Sequence, residues 1–183
     1  MGYFLKILRL FPLLWLMGPV SIICAQEVED NLVRISLDVF PKLVAVDLDM
    51  KNKLSEGGQI RLQVFYSQKK ELALSVVQQL KERYPNIAAL PVQVEARSAF
   101  TADPPTAIFL VERFQEKPLR NLINYGISNG ILVFSPFKED VDRGVTAGIY
   151  LSVRILPYFN HETLKRSGIN MHKILLKSAK FYE

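Results

Sequence analysis

The apolar positions of the chain change period several times, and each change marks an element. Leu32, Ile35, Val39, Leu43, Val46 and Met50 recur at steps of three and four, the spacing of one apolar helix stripe. A helix over Leu32 to Asn52 is predicted, capped by Asn31, after a frayed polar lead-in from Gln26. Pro41 removes a hydrogen bond there, so the helix should bend near Phe40. Gly57-Gly58 ends it. Gln59 to Tyr66 then alternates, with Ile60, Leu62, Val64 and Tyr66 on one strand face. Ser67-Gln68 is a turn, Glu71 to Tyr84 an amphipathic helix stopped by Pro85, and Leu90 to Glu95 a second strand. Thr106 to Val111 is apolar enough for a central strand. Gln115 to Tyr125 is a helix ended by Gly126.

The last third has a distinctive order. Gly130 to Phe134 has the length and branching of a buried strand, and the polar segment Ser135 to Gly144 reads as a loop. Val145 to Leu151 and Val153 to Phe159 pair as strands. Asn160 caps a short helix, His161 to Arg166, that stops near Gly168. A final helix, Lys173 to Tyr182, turns Ile174, Leu175, Ala179 and Phe181 inward. Alternating strands and helices through the middle predict an α/β fold. Its sheet should be mostly parallel, about five or six strands wide, flanked by helices, with a C-terminal β-hairpin and helix. No repeat or linker divides residues 26–183, so one domain is expected.

This last stretch resembles the C-terminal half of the YfiR-like family of periplasmic regulators. The residues that carry the likeness are Val133 to Ser135, Gly144, Phe159-Asn160, Gly168-Ile169, and Leu175-Leu176 with Ala179. The hairpin is slightly shorter than in that family, and Pro157 stands where a strand residue would be. The resemblance also implies a long first helix bearing an aspartate in an apolar setting, matched by Asp47. The periodicity itself places that carboxylate at the helix surface.

The start of the chain sets a compartment. Lys6 and Arg9 precede an apolar run from Leu10 to Cys24 that Pro12 and Pro19 interrupt, and Ala25 offers a small residue before Gln26. Residues 1–25 therefore read as a cleaved secretory signal peptide, and the protein as periplasmic. The rival is a membrane anchor, but the run is shorter than the roughly 20 residues that a spanning helix needs. Cleavage leaves 158 residues, enough for one domain with a sizeable core. It also removes Cys24, the single cysteine, so no disulfide helps the core. Without Lys6 and Arg9, 21 basic residues face 18 acidic ones, too even a balance for nucleic acid. The gathering of Lys165, Arg166, Lys173, Lys177 and Lys180 reads as a solvated face.

Candidate chemistry is sparse. The cysteine leaves with the signal, and His161 and His172 have no metal-ligand spacing. Ser135 lacks the glycines of a nucleophile elbow, and Gly57-Gly58 lacks the setting of a phosphate cradle. The expectation is a protein that is no enzyme and needs no metal or cofactor. Ligands of open parallel sheets sit outside the C-terminal strand ends. Those ends carry Tyr66, Ser67, Gln68, Glu112, Arg113, Ser135 and Phe137, with Lys138 to Arg143 in the following loop. Tyr66, Ser67, Gln68, Ser135, Phe137 and Arg143 are the candidate binding residues. In the loop, Phe137 would be an exposed aromatic anchor and Arg143 a planar contact for a carboxylate.

The resemblance implies a regulatory binding protein. It would modulate, and in the first instance repress, an inner-membrane signalling enzyme such as a diguanylate cyclase or sensor kinase, by holding that enzyme's periplasmic part. The alternative is a small-molecule binding module serving a sensor or transporter, although one domain has no second lobe to close over a solute. Partners are thus a membrane protein's outer part, a small ligand, or a second copy of the chain. An exposed apolar patch would favour the regulator and a closed polar pocket the module.

Overall fold

The computed structural model describes residues 20–182, with side chains described from Gln26 onward. It is an α/β fold built on an eight-stranded sheet. The strands are β1 (Ile60–Phe65), β2 (Asn86–Ile87), β3 (Leu90–Arg97), β4 (Ala107–Leu110), β5 (Leu132–Ser135), β6 (Ala147–Leu151), β7 (Ile155–Asn160) and β8 (Lys180–Tyr182). Their spatial order is β2-β3-β1-β4-β5-β6-β7-β8. From β3 across β1, β4 and β5 to β6 the pairing is parallel, and β7 turns back antiparallel on β6.

The helices are α1 (Val20–Ser36), α2 (Phe40–Ala45), α3 (Lys70–Arg83), α4 (Glu116–Asn129), α5 (Lys138–Asp142), α6 (His161–Arg166) and α7 (Lys173–Ser178). They cover both faces. On one, Val33 and Leu37 of the first helical segment, Phe40 and Leu43 of α2, and Val76 and Leu80 of α3 pack with Ile60, Leu62, Val64, Phe109 and Phe134. The rings of Phe40, Phe109 and Phe134 lie 5.3–5.5 Å apart at its centre. On the other, Leu119 and Leu122 of α4 cover Phe65, Ile108, Leu110 and Val133. β4, covered on both faces, is apolar throughout, whereas β1 alternates Arg61 and Gln63 with Ile60, Leu62 and Val64.

The long first helix predicted over Leu32 to Asn52 is divided. α1 runs through Asn31 without a cap there and stops at Ser36, and α2 restarts with Pro41 in its first turn. A proline is tolerated there, since the N–H it lacks would have no helical partner. Residues 46–48 leave the helix altogether. Val46 accepts a backbone bond from His172 at 3.0 Å, and Leu48 donates one to Asn170 at 2.9 Å. Asp47 is 6 % exposed rather than at the surface. Its carboxylate holds the Lys53 ammonium at 2.6 Å and the Asp49 N–H at 3.0 Å, so a structural role accounts for its burial.

Other boundaries also move. Gly126 lies inside α4, where an added Cβ would meet Val133 Cγ2 at 2.6 Å; the helix ends instead at Gly130, in the left-handed region. The predicted final helix is only α7, after which the chain becomes β8 and pairs with β7. Ile174 is therefore exposed, and Phe181 stacks on Phe159 from the sheet edge. Pro157 faces Ile149 of β6 just before the part of β7 that pairs with β8, so its missing N–H costs no ladder bond on that side. Asn160 does cap α6, its side chain accepting from Thr163 N–H at 3.0 Å. Among the described residues no helix is long and apolar enough to cross a membrane. The signal segment, residues 1–25, lies almost wholly outside those described.

Candidate functional site

β1 leads through α3 to β3 on one side, and β4 lies on the other. The C-terminal ends of β1 and β4 therefore form the topological switch point, where open sheets offer ligands a crevice. Here a cleft of ≈ 340 Å³ is lined by Ser67, Gln68, Glu112, Arg113, Phe114 and Gln115. Its anion position is filled by the chain itself. One oxygen of Glu112 accepts the backbone N–H groups of Ser67, Gln68 and Lys69 at 2.6, 2.8 and 3.0 Å. α3 begins at the next residue, so the carboxylate sits where the helix dipole and free N–H groups favour negative charge. Ser67 and Gln68 are exposed beside it, and Tyr66 is half-buried, packed on the core.

The segment after β5 differs from expectation. Ser135 to Gly144 is not an open loop, because residues 138–142 form α5. Ser135 is fully buried; its hydroxyl donates to Asp140 Oδ2 at 2.7 Å and accepts the Phe137 N–H at 3.2 Å. Asp140 is equally buried, and Arg143 reaches its other oxygen at 3.3 Å. Burial pushes the Asp140 carboxyl above its ordinary range, against the pull of Ser135 and Arg143. Phe137, expected as an exposed anchor, has no solvent exposure. The Arg113 guanidinium lies 4.7 Å over its ring and also pairs with Glu29 and Glu139 at 3.2 and 2.8 Å. Arg143, expected to meet a partner, instead bonds the Phe114 carbonyl at 3.2 Å and Glu116 at 3.1 Å. The polar sequence of α5 hides a helix because its charges are spent on one another. Lys138 pairs with Asp142 at 2.5 Å, and the Tyr158 hydroxyl donates to Asp142 at 2.6 Å. Burial and that hydrogen bond push the Tyr158 phenol up to about 12.

Of the six candidate residues, Ser67 and Gln68 thus meet at one open cleft with Glu112 and Arg113. Tyr66 stands beside them, half-buried against the core, while Ser135, Phe137 and Arg143 belong to the packing of α5. One exposed apolar cluster lies elsewhere. The hairpin of β6 and β7 turns at Ser152-Val153-Arg154, and its tip presents Leu151, Val153 and Ile155, which are 50 %, 106 % and 45 % exposed. The apolar run that predicted the strand is the only sign of this in the sequence, since a buried and an exposed apolar residue read alike.

Neither histidine joins a site: His172 Nδ1 accepts the Ile174 N–H at the start of α7, and His161 stands edge-on to Phe181. Among the described residues no three His, Cys, Asp or Glu side chains are grouped to hold a metal.

No family model matches the chain, and no curated protein matches it. Solved structures do. One is described as the ABC domain in complex with L-Trp from Streptococcus pneumonia, with a TM-score of 0.55 at 12 % identity. The alignment covers 81 % of this chain but 61 % of that one, so the chain spans under two thirds of its length. At that identity the likeness shows a shared α/β fold.

Proposed function

We propose that the protein is a periplasmic regulatory binding protein that represses an inner-membrane signalling enzyme, such as a diguanylate cyclase or sensor kinase, by holding its periplasmic part. The observation that carries this reading is the apolar tip of the β6–β7 hairpin. Leu151, Val153 and Ile155 project from a fold whose core is otherwise well covered, and apolar groups clustered on a projection favour a protein contact. The resemblance to the YfiR-like family and the export segment supply the compartment and the class of partner. The switch point supports the same choice indirectly, because Glu112 already occupies the place where a ligand's anionic group would sit.

The test is co-expression with inner-membrane signalling enzymes of the same organism, reading each enzyme's nucleotide product or phosphorylation. Full repression by the wild-type chain and loss of it with Val153→Asp, at unchanged export and melting temperature, supports the proposal. A deletion strain with unaltered signalling output contradicts it.

A second reading, a small-molecule binding module, is favoured by the cleft at Ser67, Gln68 and Arg113 and by the L-Trp complex of the structural neighbour. Its weakness is that Glu112 already takes up the N–H groups to which a ligand's anionic group would bind.

A further inference from the structure

On the α4 side of the sheet, next to the switch point, a second cavity of about 410 Å³ is lined by Phe65, Ser98, Ala99, Phe100, Lys117, Pro118, Asn121 and Leu122. We propose that it binds a small amphipathic anion, an aromatic ring bearing a carboxylate on a short chain. The proposal does not depend on the membrane partner.

The cavity has the make-up of a ligand site: an apolar floor, few polar groups, and a volume within the usual range of about 300–1,000 Å³. Phe65 and Leu122 form the floor and are 6 % and 1 % exposed. Phe100 forms a wall. It is 43 % exposed although its ring is stacked on both Phe65 and Tyr125, at 5.6 and 4.5 Å. An aromatic ring held rigidly by two neighbours, with its outer part left in water, is a preformed surface for a third ring.

The wall is held in place by its own segment. Between β3 and β4 the chain runs irregularly from Ser98 to Thr106, longer than the usual connection of about 4–6 residues. It is nevertheless fastened. Gln63 donates to Thr101 Oγ1 at 3.1 Å, Tyr125 donates to the Thr101 carbonyl at 3.2 Å, and Arg61 pairs with Asp103 and the Pro104 carbonyl. These bonds tie down the second half of the connection and leave Ser98 to Phe100 as the side of the cavity. A long, fastened connection is what a binding wall requires.

The sign of the ligand follows from the rim. Lys117 is the one charged residue lining the cavity, and it makes no ion pair among the described residues. Its neighbour Glu116 is committed to Arg120 at 2.8 Å and Arg143 at 3.1 Å and does not line this cavity. Asn121, one turn further along α4, adds an amide at the same rim. An anion is therefore complemented by Lys117 and oriented by Asn121, with its ring on Phe65 and Phe100.

The experiment is calorimetric titration of 3-phenylpropionate, and of its uncharged analogue 3-phenylpropanol, into the protein purified from the cell envelope. The expected result is saturable one-site binding of the acid. Both Lys117→Glu and the exchange of acid for alcohol should weaken it by roughly two- to fivefold, the loss of one ion pair at an exposed lysine. Phe100→Ala should abolish it, with melting temperature showing that the variant is folded. Absence of saturable binding by the wild-type protein overturns the proposal. So does equal affinity for acid and alcohol, or binding that Phe100→Ala leaves intact. Sedimentation of the same samples gives the other decision. Self-association that Phe100→Ala abolishes means that a second copy, not a small anion, occupies the cavity.

Discussion

Replacement of Glu112 by alanine tests how the switch point is built. The carboxylate is 7 % exposed and one of its oxygens accepts three consecutive backbone N–H groups at the start of α3. A hydrogen bond to a charged group contributes about 1.5–3 kcal/mol net. The three do not add, because Ser67 and Gln68 are exposed and water reaches their amides in the variant. A loss of about 2–4 kcal/mol results, one full charge-assisted bond plus the weakened helix start. For a domain of this size that lowers the melting temperature by roughly 4–16 °C, at about 2–4 °C per kcal/mol. Glu112→Gln keeps an oxygen in place and should fall between the two. Thermal melting by circular dichroism is the assay, repeated with sulfate against chloride at equal ionic strength. The emptied nest should take up sulfate, so sulfate should raise the melting temperature of Glu112→Ala more than that of the wild type. A variant within about 0.5 kcal/mol of wild type, the range of neutral surface changes, would refute the reasoning. So would a sulfate effect equal in both proteins.

Three further outcomes are expected. Phe137→Ala, which empties a fully buried site under the Arg113 guanidinium, should cost about 3–5 kcal/mol in chemical denaturation; a loss below about 1 kcal/mol would mean that the ring is not core. Gly148→Ala places a Cβ 2.5 Å from the Ser135 carbonyl oxygen and 2.7 Å from Val141 Cγ2, and should cost about 1–3 kcal/mol or more, measured in the same way. Asp140→Asn should change the pH dependence. A carboxyl raised in the folded state contributes stability below its unfolded pKa and loses it as pH rises through the folded value. The stability of the variant relative to wild type should therefore increase from acid toward neutral pH, and a difference that is flat or falling would contradict the burial cost.

Much of the fold was legible because its core strands are short, apolar and separated by helices of clear period. β1, β3, β4 and α3 fall close to their predicted ranges, and the α6 start at Asn160 was visible as a cap. The failures share a cause: tertiary contacts reassigned segments whose local pattern pointed elsewhere. Ala179 to Tyr182 continues the apolar rhythm of α7, yet an open edge of β7 takes it as a strand. Residues 46–48 continue the stripe of the first helix, yet they pair with 170–172. The site suffered in the same way. Ser67, Gln68, Glu112 and Arg113 were locatable because strand ends dictate their place. Phe137 and Arg143 were not, since the charged run Lys138 to Arg143 conceals a helix that buries one of its three carboxylates, Asp140, and the ring before it. The cavity at Phe100 was not visible at all. Its wall comes from an irregular connection, and nothing in the local sequence says that Phe100 stacks between Phe65 and Tyr125.

The most direct measurement of the proposed function is site-specific photo-crosslinking from the hairpin tip in living cells. A photoreactive amino acid at Val153, the most exposed apolar residue of the tip, is compared with one at Lys81, an exposed position on α3. The account predicts that Val153 captures the periplasmic part of an inner-membrane signalling enzyme, that Lys81 does not, and that Leu151→Asp abolishes capture without loss of protein. Equal capture from both positions, or no such enzyme captured from Val153 while it is repressed, would contradict it.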